Sequence, residues 1–228
     1  MILFCIPYAG GSARDFADWE KNVSNNLQIV PLELRARGKR IKESAYTNFD
    51  EMVTDLCAQI DKYAEGKAYS IWGHSMGAIT GFAIAKKRYD LRMSLPKLLF
   101  LSGRDAPFIE YDKKFGKMTD LEIKNYLCEL HGTSLKIFDE PRVGKIYLNR
   151  VKGDYQVLST YNTEQYNVAL PIDMLIFYGT DDISIKGDIR DWREYTTQEI
   201  TFFHFKSGHF YSDSQKENVL QIIEQHIW

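Results

Sequence analysis

Little in this 228-residue chain is in excess, and each shortage removes a class of protein. Cysteine occurs three times, at Cys5, Cys57 and Cys128, with no C-x-x-C spacing. An odd, dispersed set builds neither a disulfide framework nor a structural zinc site, and it fits a reducing compartment. Lys and Arg number 29 against 31 Asp and Glu, for a formal net charge of −2, and the signs are interspersed. That leaves no basic footprint for nucleic acid. No apolar run approaches the roughly 20 residues needed to cross a bilayer. The apolar opening Met1-Ile2-Leu3-Phe4-Cys5-Ile6 has no charged flank and stops at Pro7 and two glycines, so it reads as a buried strand rather than a signal peptide. Internal repeats, low-complexity tracts and linkers are also missing. A cytoplasmic protein with no nucleic-acid or membrane partner is expected, and a monomer, since no apolar surface stripe stands out.

What the chain does have is alternation. Short apolar runs at 2–6, 28–32, 68–72, 97–102, 173–178 and 200–205 are separated by helical patterns at 16–25, 49–63, 76–88, 188–195 and 214–226. Strands alternating with helices predict an α/β domain with a mostly parallel central sheet flanked by helices, over residues 1–228. The stretch at about 104–168 breaks the rhythm. It carries helical patches, one opened by Thr119 and others at 142–151 and 154–161, but no core strand. A segment of that length is read as a helical cap, or lid, inserted into the domain.

Gly73-His74-Ser75-Met76-Gly77 fits the G-x-S-x-G nucleophile elbow, between a β-prone run and a helical pattern. The pentapeptide alone is a weak signal; strand, turn and helix in that order make it strong. A serine nucleophile needs a base, an acid that orients the base, and an oxyanion site. Chain order on such a fold is Ser, then Asp or Glu, then His. Asp181 and Asp182 follow the run at 173–178, and Asp182 is preferred, with Asp181 the alternative. His209, projected by Ser207-Gly208 after the last strand, is the base. The other histidines fit less well: His74 sits beside the nucleophile, His131 in the inserted segment, His204 within a strand pattern and His226 in the last helical turn. The oxyanion donors expected are the N–H groups of Met76, at a helix N-terminus, and of Ala9, in Pro7-Tyr8-Ala9-Gly10-Gly11-Ser12, with Tyr8 the runner-up.

These residues resemble a known family. The run Phe4-Cys5-Ile6-Pro7-Tyr8-Ala9-Gly10-Gly11-Ser12, the elbow, Ser102-Gly103-Arg104-Asp105-Ala106-Pro107, Arg150-Val151-Lys152-Gly153-Asp154-Tyr155 with Tyr161, and Gly208-His209-Phe210 are together similar to the stand-alone type II thioesterases of nonribosomal peptide and polyketide synthesis. The likeness runs in order along nearly the whole chain and implies the α/β-hydrolase fold. On it, Ser75, Asp182 and His209 match the family's nucleophile, acid and base. It departs at Arg35-Ala36-Arg37-Gly38, where members usually carry a Pro-Gly-Arg-Gly-like turn, and in having no leader before the first strand, which suggests a compact member. The resemblance implies an editing hydrolase that removes acyl groups from the phosphopantetheine arm of acyl or peptidyl carrier proteins. Neither a metal nor a cofactor of its own is implied. Arg35, Arg37, Lys39 and Arg40 form a basic cluster that would suit docking of an acidic carrier, or would simply be a solvated loop. Alternative readings are a general carboxylesterase, lipase or peptidase on the same fold, a chain-releasing thioesterase, and a silent binding module.

Overall fold

The computed structural model describes residues 1–109, 115–130 and 135–228. Its described strands are β1 (Ile2–Ile6), β2 (Gln28–Pro31), β3 (Tyr69–His74), β4 (Leu98–Ser102), β5 (Asp173–Gly179) and β6 (Ile200–Phe205). They form one six-stranded sheet in the order β2-β1-β3-β4-β5-β6, with every neighbouring pair parallel. β1, β3 and β4 are buried at every position, which is why they read as unbroken apolar runs. β3 extends past the expected end at residue 72 and delivers the chain through Gly73 and His74 directly to Ser75.

From β1 the chain steps outward to β2, returns over β1 to β3 and then proceeds the other way to β6. The reversal lies between β1 and β3. Loops leaving their carboxyl ends diverge there, which opens the crevice where ligands bind on such sheets.

Side chains alternate across the sheet with period two. Phe4 and Ile6 of β1 join one core with Ile71, Leu101 and Ile176; Leu3 and Cys5 join the other with Trp72, Phe100 and Phe177. The first core is closed by α1 (Phe49–Ala64) and α2 (Met76–Asp90). Helix α1 buries Phe49, Met52, Val53, Leu56 and Ile60 on one stripe, and Asn48 caps it by accepting from the Glu51 N–H at 2.8 Å. Helix α2 is buried almost all round. It approaches so closely that a Cβ on Gly77 would sit 2.2 Å from the Ile6 carbonyl oxygen.

Between β4 and β5 the described residues form α3 (Asp120–Glu129) and α4 (Pro141–Leu158). Thr119 caps α3 in a capping box with Glu122. Helix α4 replaces the two helices expected at 142–151 and 154–161, running unbroken through Gly153, whose backbone N–H and carbonyl still join the ladder and whose Cβ position is open space. Two short helices, α5 (Tyr211–Ser214) and α6 (Lys216–His226), close the chain, and α6 buries Val219, Leu220 and Ile223 in the second core.

The helix expected at 16–25 is instead two 3-10 turns, Ala13–Phe16 and Glu20–Asn22. The buried residues of that stretch are Phe16, in the first turn, and Trp19, between the two; Trp19 packs edge-on to Trp72 at 5.3 Å. The pattern at 188–195 is likewise 3-10, Ile189–Tyr195.

Gly77 of α2 and Gly153 of α4 should respond oppositely to alanine. Gly77→Ala forces a carbon into the Ile6 carbonyl and should cost about 1–3 kcal/mol or more. Gly153→Ala should gain roughly 0.5–1 kcal/mol of helix propensity. Urea unfolding midpoints of both variants test this, and equal shifts would contradict the packing described.

Candidate active site

Ser75 occupies the turn from β3 to α2 with φ 55° and ψ −112°, a strained conformation for a non-glycine residue. Its N–H donates to the Ser102 carbonyl at 2.7 Å, and its carbonyl accepts from the Ala78 N–H at 3.0 Å. Gly73 makes the turn possible, since a Cβ there would lie 2.0 Å from the Gly77 carbonyl oxygen. Met76 is the first residue of α2, so its N–H lies at the positive end of the helix dipole.

Asp182 and His209 meet beside this turn. The His209 Nδ1 lies 2.7 Å from Asp182 Oδ2, and the two side chains are 3% and 0% exposed. Asp181 is exposed, and its N–H donates to the Ser207 carbonyl at 3.0 Å. The loop bearing His209 is pressed on the tip of β5, where a Cβ on Gly179 would come within 2.3 Å of the Gly208 carbonyl oxygen. Burial alone would raise the Asp182 pKa, but hydrogen bonds from His209 and Ser184 and the attraction of the imidazole hold it below the ordinary carboxylate value.

Ser184 is a residue that sequence reasoning missed. Its N–H and Oγ donate to Asp182 Oδ1 at 2.9 and 2.6 Å, and its Oγ lies 3.0 Å from His209 Nδ1. The signal is present as Asp182-Ile183-Ser184, the spacing of an Asx turn in which an aspartate binds the backbone two residues on.

Behind His209 lies a second buried imidazole. His74 is 4.8 Å from His209 between ring centroids, and its Nδ1 is 2.8 Å from the Ser102 hydroxyl, which in turn hydrogen-bonds the Tyr211 hydroxyl. Burial first, and the neighbouring His209 second, push the His74 pKa well down, so His74 is neutral. Gly103, at φ 59°, allows this contact: a Cβ there would be 2.7 Å from His74 Cε1. Of the remaining histidines, His204 is on β6 and His226 ends α6, whereas His131 lies outside the described residues.

Ser75, His209, Ser184 and Ala9 line one end of a cavity of about 420 Å³. Most of its remaining walls come from the segment between β4 and β5 and are largely apolar, including Phe115, Met118, Tyr126, Leu130 and Tyr155, with Arg104, Asp105 and Lys186 also lining it. Ala9 is the first central residue of a tight turn closed by the Gly11 N–H on the Tyr8 carbonyl at 2.9 Å. Gly10, at φ 88°, is the second, the position where a type II turn calls for glycine. Tyr8 turns its ring onto Phe210 at 4.9 Å.

The basic cluster is largely engaged. Arg37 is buried and pairs with Asp154 at 2.5 Å, which removes it from any surface role. Arg35 pairs with Glu51 at 2.6 Å, and Arg40 with Asp55 and Glu43 at 2.6 Å each. Partial burial acts to raise the Asp55 pKa, yet Arg40 and Tyr46 hold it at about 2. Lys39 alone of the four is exposed.

A parallel sheet with a strained serine at the β3–α2 elbow, next to a buried His–Asp pair from later loops, is the arrangement of an α/β-hydrolase. The chain belongs to the thioesterase family: the family model described as "Thioesterase domain" matches residues 1–227. It is a hydrolase acting on thioesters. Among its relatives, the gramicidin S biosynthesis protein GrsT of Aneurinibacillus migulanus is 28% identical over 97% of this chain and 86% of its own. The medium-chain S-acyl fatty acid synthase thioesterase of Anas platyrhynchos is 26% identical over 92% of this chain and 84% of its own. The crystal structure of ClbQ, from the colibactin NRPS/PKS pathway, superposes with a TM-score of 0.90 at 28% identity, covering 98% of this chain and 95% of that one.

The geometry separates the neighbouring acids. Asp182→Ala should lower kcat by about 10²–10⁴-fold, whereas Asp181→Ala should stay near wild type. Because the folded-state pKa of Asp182 is depressed, its stabilising contribution is complete above the unfolded value near 3.8 and fades as pH falls through the lower folded value. Acid unfolding of Asp182→Asn should therefore show a shallower loss of stability in that window; an unchanged acid limb would contradict the assignment.

Proposed function

We propose that this protein is a type II, editing thioesterase, which hydrolyses acyl groups from the phosphopantetheine arm of carrier proteins in a nonribosomal peptide or polyketide pathway. The observation that carries the reading is the shared cavity, in which Ser75 and His209, the latter backed by Asp182, meet a largely apolar pocket walled mostly from between β4 and β5. Relatives named for gramicidin S and colibactin pathways support the pathway class.

In this mechanism His209 Nε2 takes the Ser75 hydroxyl proton as Oγ attacks the thioester carbonyl carbon. Asp182 on Nδ1 fixes the tautomer and stabilises the imidazolium that forms. The N–H groups of Met76 and Ala9 receive the tetrahedral oxyanion. The carbon–sulfur bond then breaks, and the pantetheine sulfur takes the proton from His209, leaving an acyl-Ser75 ester. Water, deprotonated by His209, attacks that ester; the acid departs and Ser75 regains its proton. Protein side chains and water perform every step, and the phosphopantetheine belongs to the substrate.

Residues 104–168 act as the lid that shapes the acyl pocket in this reading, within a single domain. An acidic carrier protein would meet the loop after β2 at Lys39, with the half-buried Arg35 and Arg40 contributing what their acidic partners leave. No helix among the described residues is long and apolar enough to cross a membrane.

The test compares one acyl group presented on a phosphopantetheinylated carrier protein, on coenzyme A and as a p-nitrophenyl ester. A kcat/KM highest for the carrier, with all three activities lost in folded Ser75→Ala, is expected. Fast ester cleavage with an inert acyl carrier would move the protein to the general esterases. Turnover that survives Ser75→Ala would overturn the nucleophile.

A further inference from the structure

Two motifs that the hydrolytic chemistry leaves unused, Arg35-Ala36-Arg37-Gly38 and the α4 run ending in Asp154, come together in one buried cluster. Arg37 and Asp154 are each 4% exposed and bond through both forks, Nη2 to Oδ1 at 2.5 Å and Nη1 to Oδ2 at 2.9 Å. Both also reach the turn after β1. The Gly10 N–H donates to Asp154 Oδ2 at 2.7 Å, and Arg37 Nη1 donates to the Gly11 carbonyl at 2.8 Å. Arg150, one helical turn before Asp154, reaches the Gly10 carbonyl at 3.4 Å. Gly10 has no room for a side chain, since a Cβ would lie 2.4 Å from Val151 Cγ2. Helix α4 therefore lies directly on this turn.

An ion pair this deep is not explained by stability, because apolar residues of similar volume usually do as well or better. What apolar residues cannot supply is a directed acceptor for the Gly10 N–H and a directed donor for the Gly11 carbonyl. Those bonds fix the peptide planes on the far side of Ala9, while the Gly11–Tyr8 bond closes the near side. The Tyr8 carbonyl and the Ala9 N–H belong to one peptide, so the Gly11 N–H on that carbonyl orients the donor, and Asp154 and Arg37 hold Gly10 and Gly11 in place to do it.

We infer that Asp154, held by Arg37, is a positioning residue for the oxyanion donor at Ala9, so that α4 must be seated on the β1 turn for the donor to be aligned. The inference rests on Ser75 and Ala9 forming the reaction site proposed above. It gives the helix over the acyl pocket a second role, in which its seating sets transition-state stabilisation as well as substrate fit. Asp154 touches no reacting atom and acts only through the backbone at Gly10.

Two variants and one wild-type measurement test it. Asp154→Asn keeps the shape and weakens the acceptor. The double variant Arg37→Met with Asp154→Leu leaves no unpaired buried charge and removes the directed bonds, so it keeps the fold while freeing the turn. With an acyl-coenzyme A substrate, kcat should fall at least about tenfold, short of the 10²–10³-fold typical of deleting an oxyanion donor outright. KM should change little. Affinity for an alkylboronic acid, which adds to the serine as a tetrahedral mimic, should fall in parallel with kcat, whereas affinity for an unreactive thioether analogue should not. A folded double variant with wild-type kcat and boronate affinity would overturn the inference, and so would equal losses for boronate and thioether. Independently of any variant, the Gly10 amide of the wild-type protein should be protected from hydrogen exchange; exchange at the rate of an open loop would also overturn it. Ser75→Ala run alongside separates the cases: its inactivity upholds the reaction site even where the clamp fails.

Discussion

The closeness of three backbones at the crossing of β1, β3 and α2 is the constraint on which the rest depends. A side chain on Gly73 would overlap the Gly77 carbonyl of α2, and one on Gly77 would overlap the Ile6 carbonyl of β1, so the three can meet only with both positions bare. That approach turns the chain sharply enough to put Ser75 in its strained conformation, and the bond from its N–H to the Ser102 carbonyl ties the strain to the neighbouring strand. The sheet reversal falls between the same two strands, which brings the turn after β1 to the elbow. A serine, a helix N-terminus and a glycine-rich turn thus converge because of backbone packing, before any side-chain chemistry is considered.

The order of elements was legible because the central strands are buried on both faces and read as apolar runs punctuated by turn residues. The elbow was legible because its glycines are a steric requirement rather than a preference. Harder to read were features set by contacts between distant segments. Phe16 and Trp19 look like part of an α-helix, but the stretch that carries their contacts with the second core, Trp72 among them, is two separate short turns. Gly153 looks like a helix end, yet nothing at its position opposes continuation. Arg37 looks like a surface cation because its partner is 117 residues away on α4, a separation that no local pattern encodes. Ser184 sat in plain view, but its importance depends on which of two adjacent aspartates faces the imidazole.

The basic loop shows how misleading a run of charges is without its surroundings. Arg35 and Arg40 share Asp55, which also accepts from Tyr46 at 2.7 Å, so most of the loop's charge is spent on holding the chain after β2 against α1. Such pairs are individually modest, yet several sharing one carboxylate form a network that orients the loop. That orientation in turn presents Arg37 inward. The outer cations are in this sense the scaffold for the inner one, and of Arg35, Arg37, Lys39 and Arg40 only Lys39 is exposed.

The layer behind His209 bears on the proton transfers. During the proposed reaction His209 becomes an imidazolium within 4.8 Å of the ring of His74. A second positive charge at that distance, in a buried site, would oppose the transfer strongly. Burial and His209 itself keep His74 neutral, and its Nδ1 is committed to the Ser102 hydroxyl, itself bonded to Tyr211, whose own pKa burial drives up. The arrangement behind the imidazole is therefore a chain of neutral dipoles. The carboxylate that hydrogen-bonds His209 is Asp182, on the side where a negative charge stabilises the imidazolium and where Ser184 keeps the carboxylate turned toward it. Neutrality on one side of the base and a fixed anion on the other make the same ring able to accept a proton from Ser75 and to surrender it to the departing sulfur without rearrangement of its surroundings.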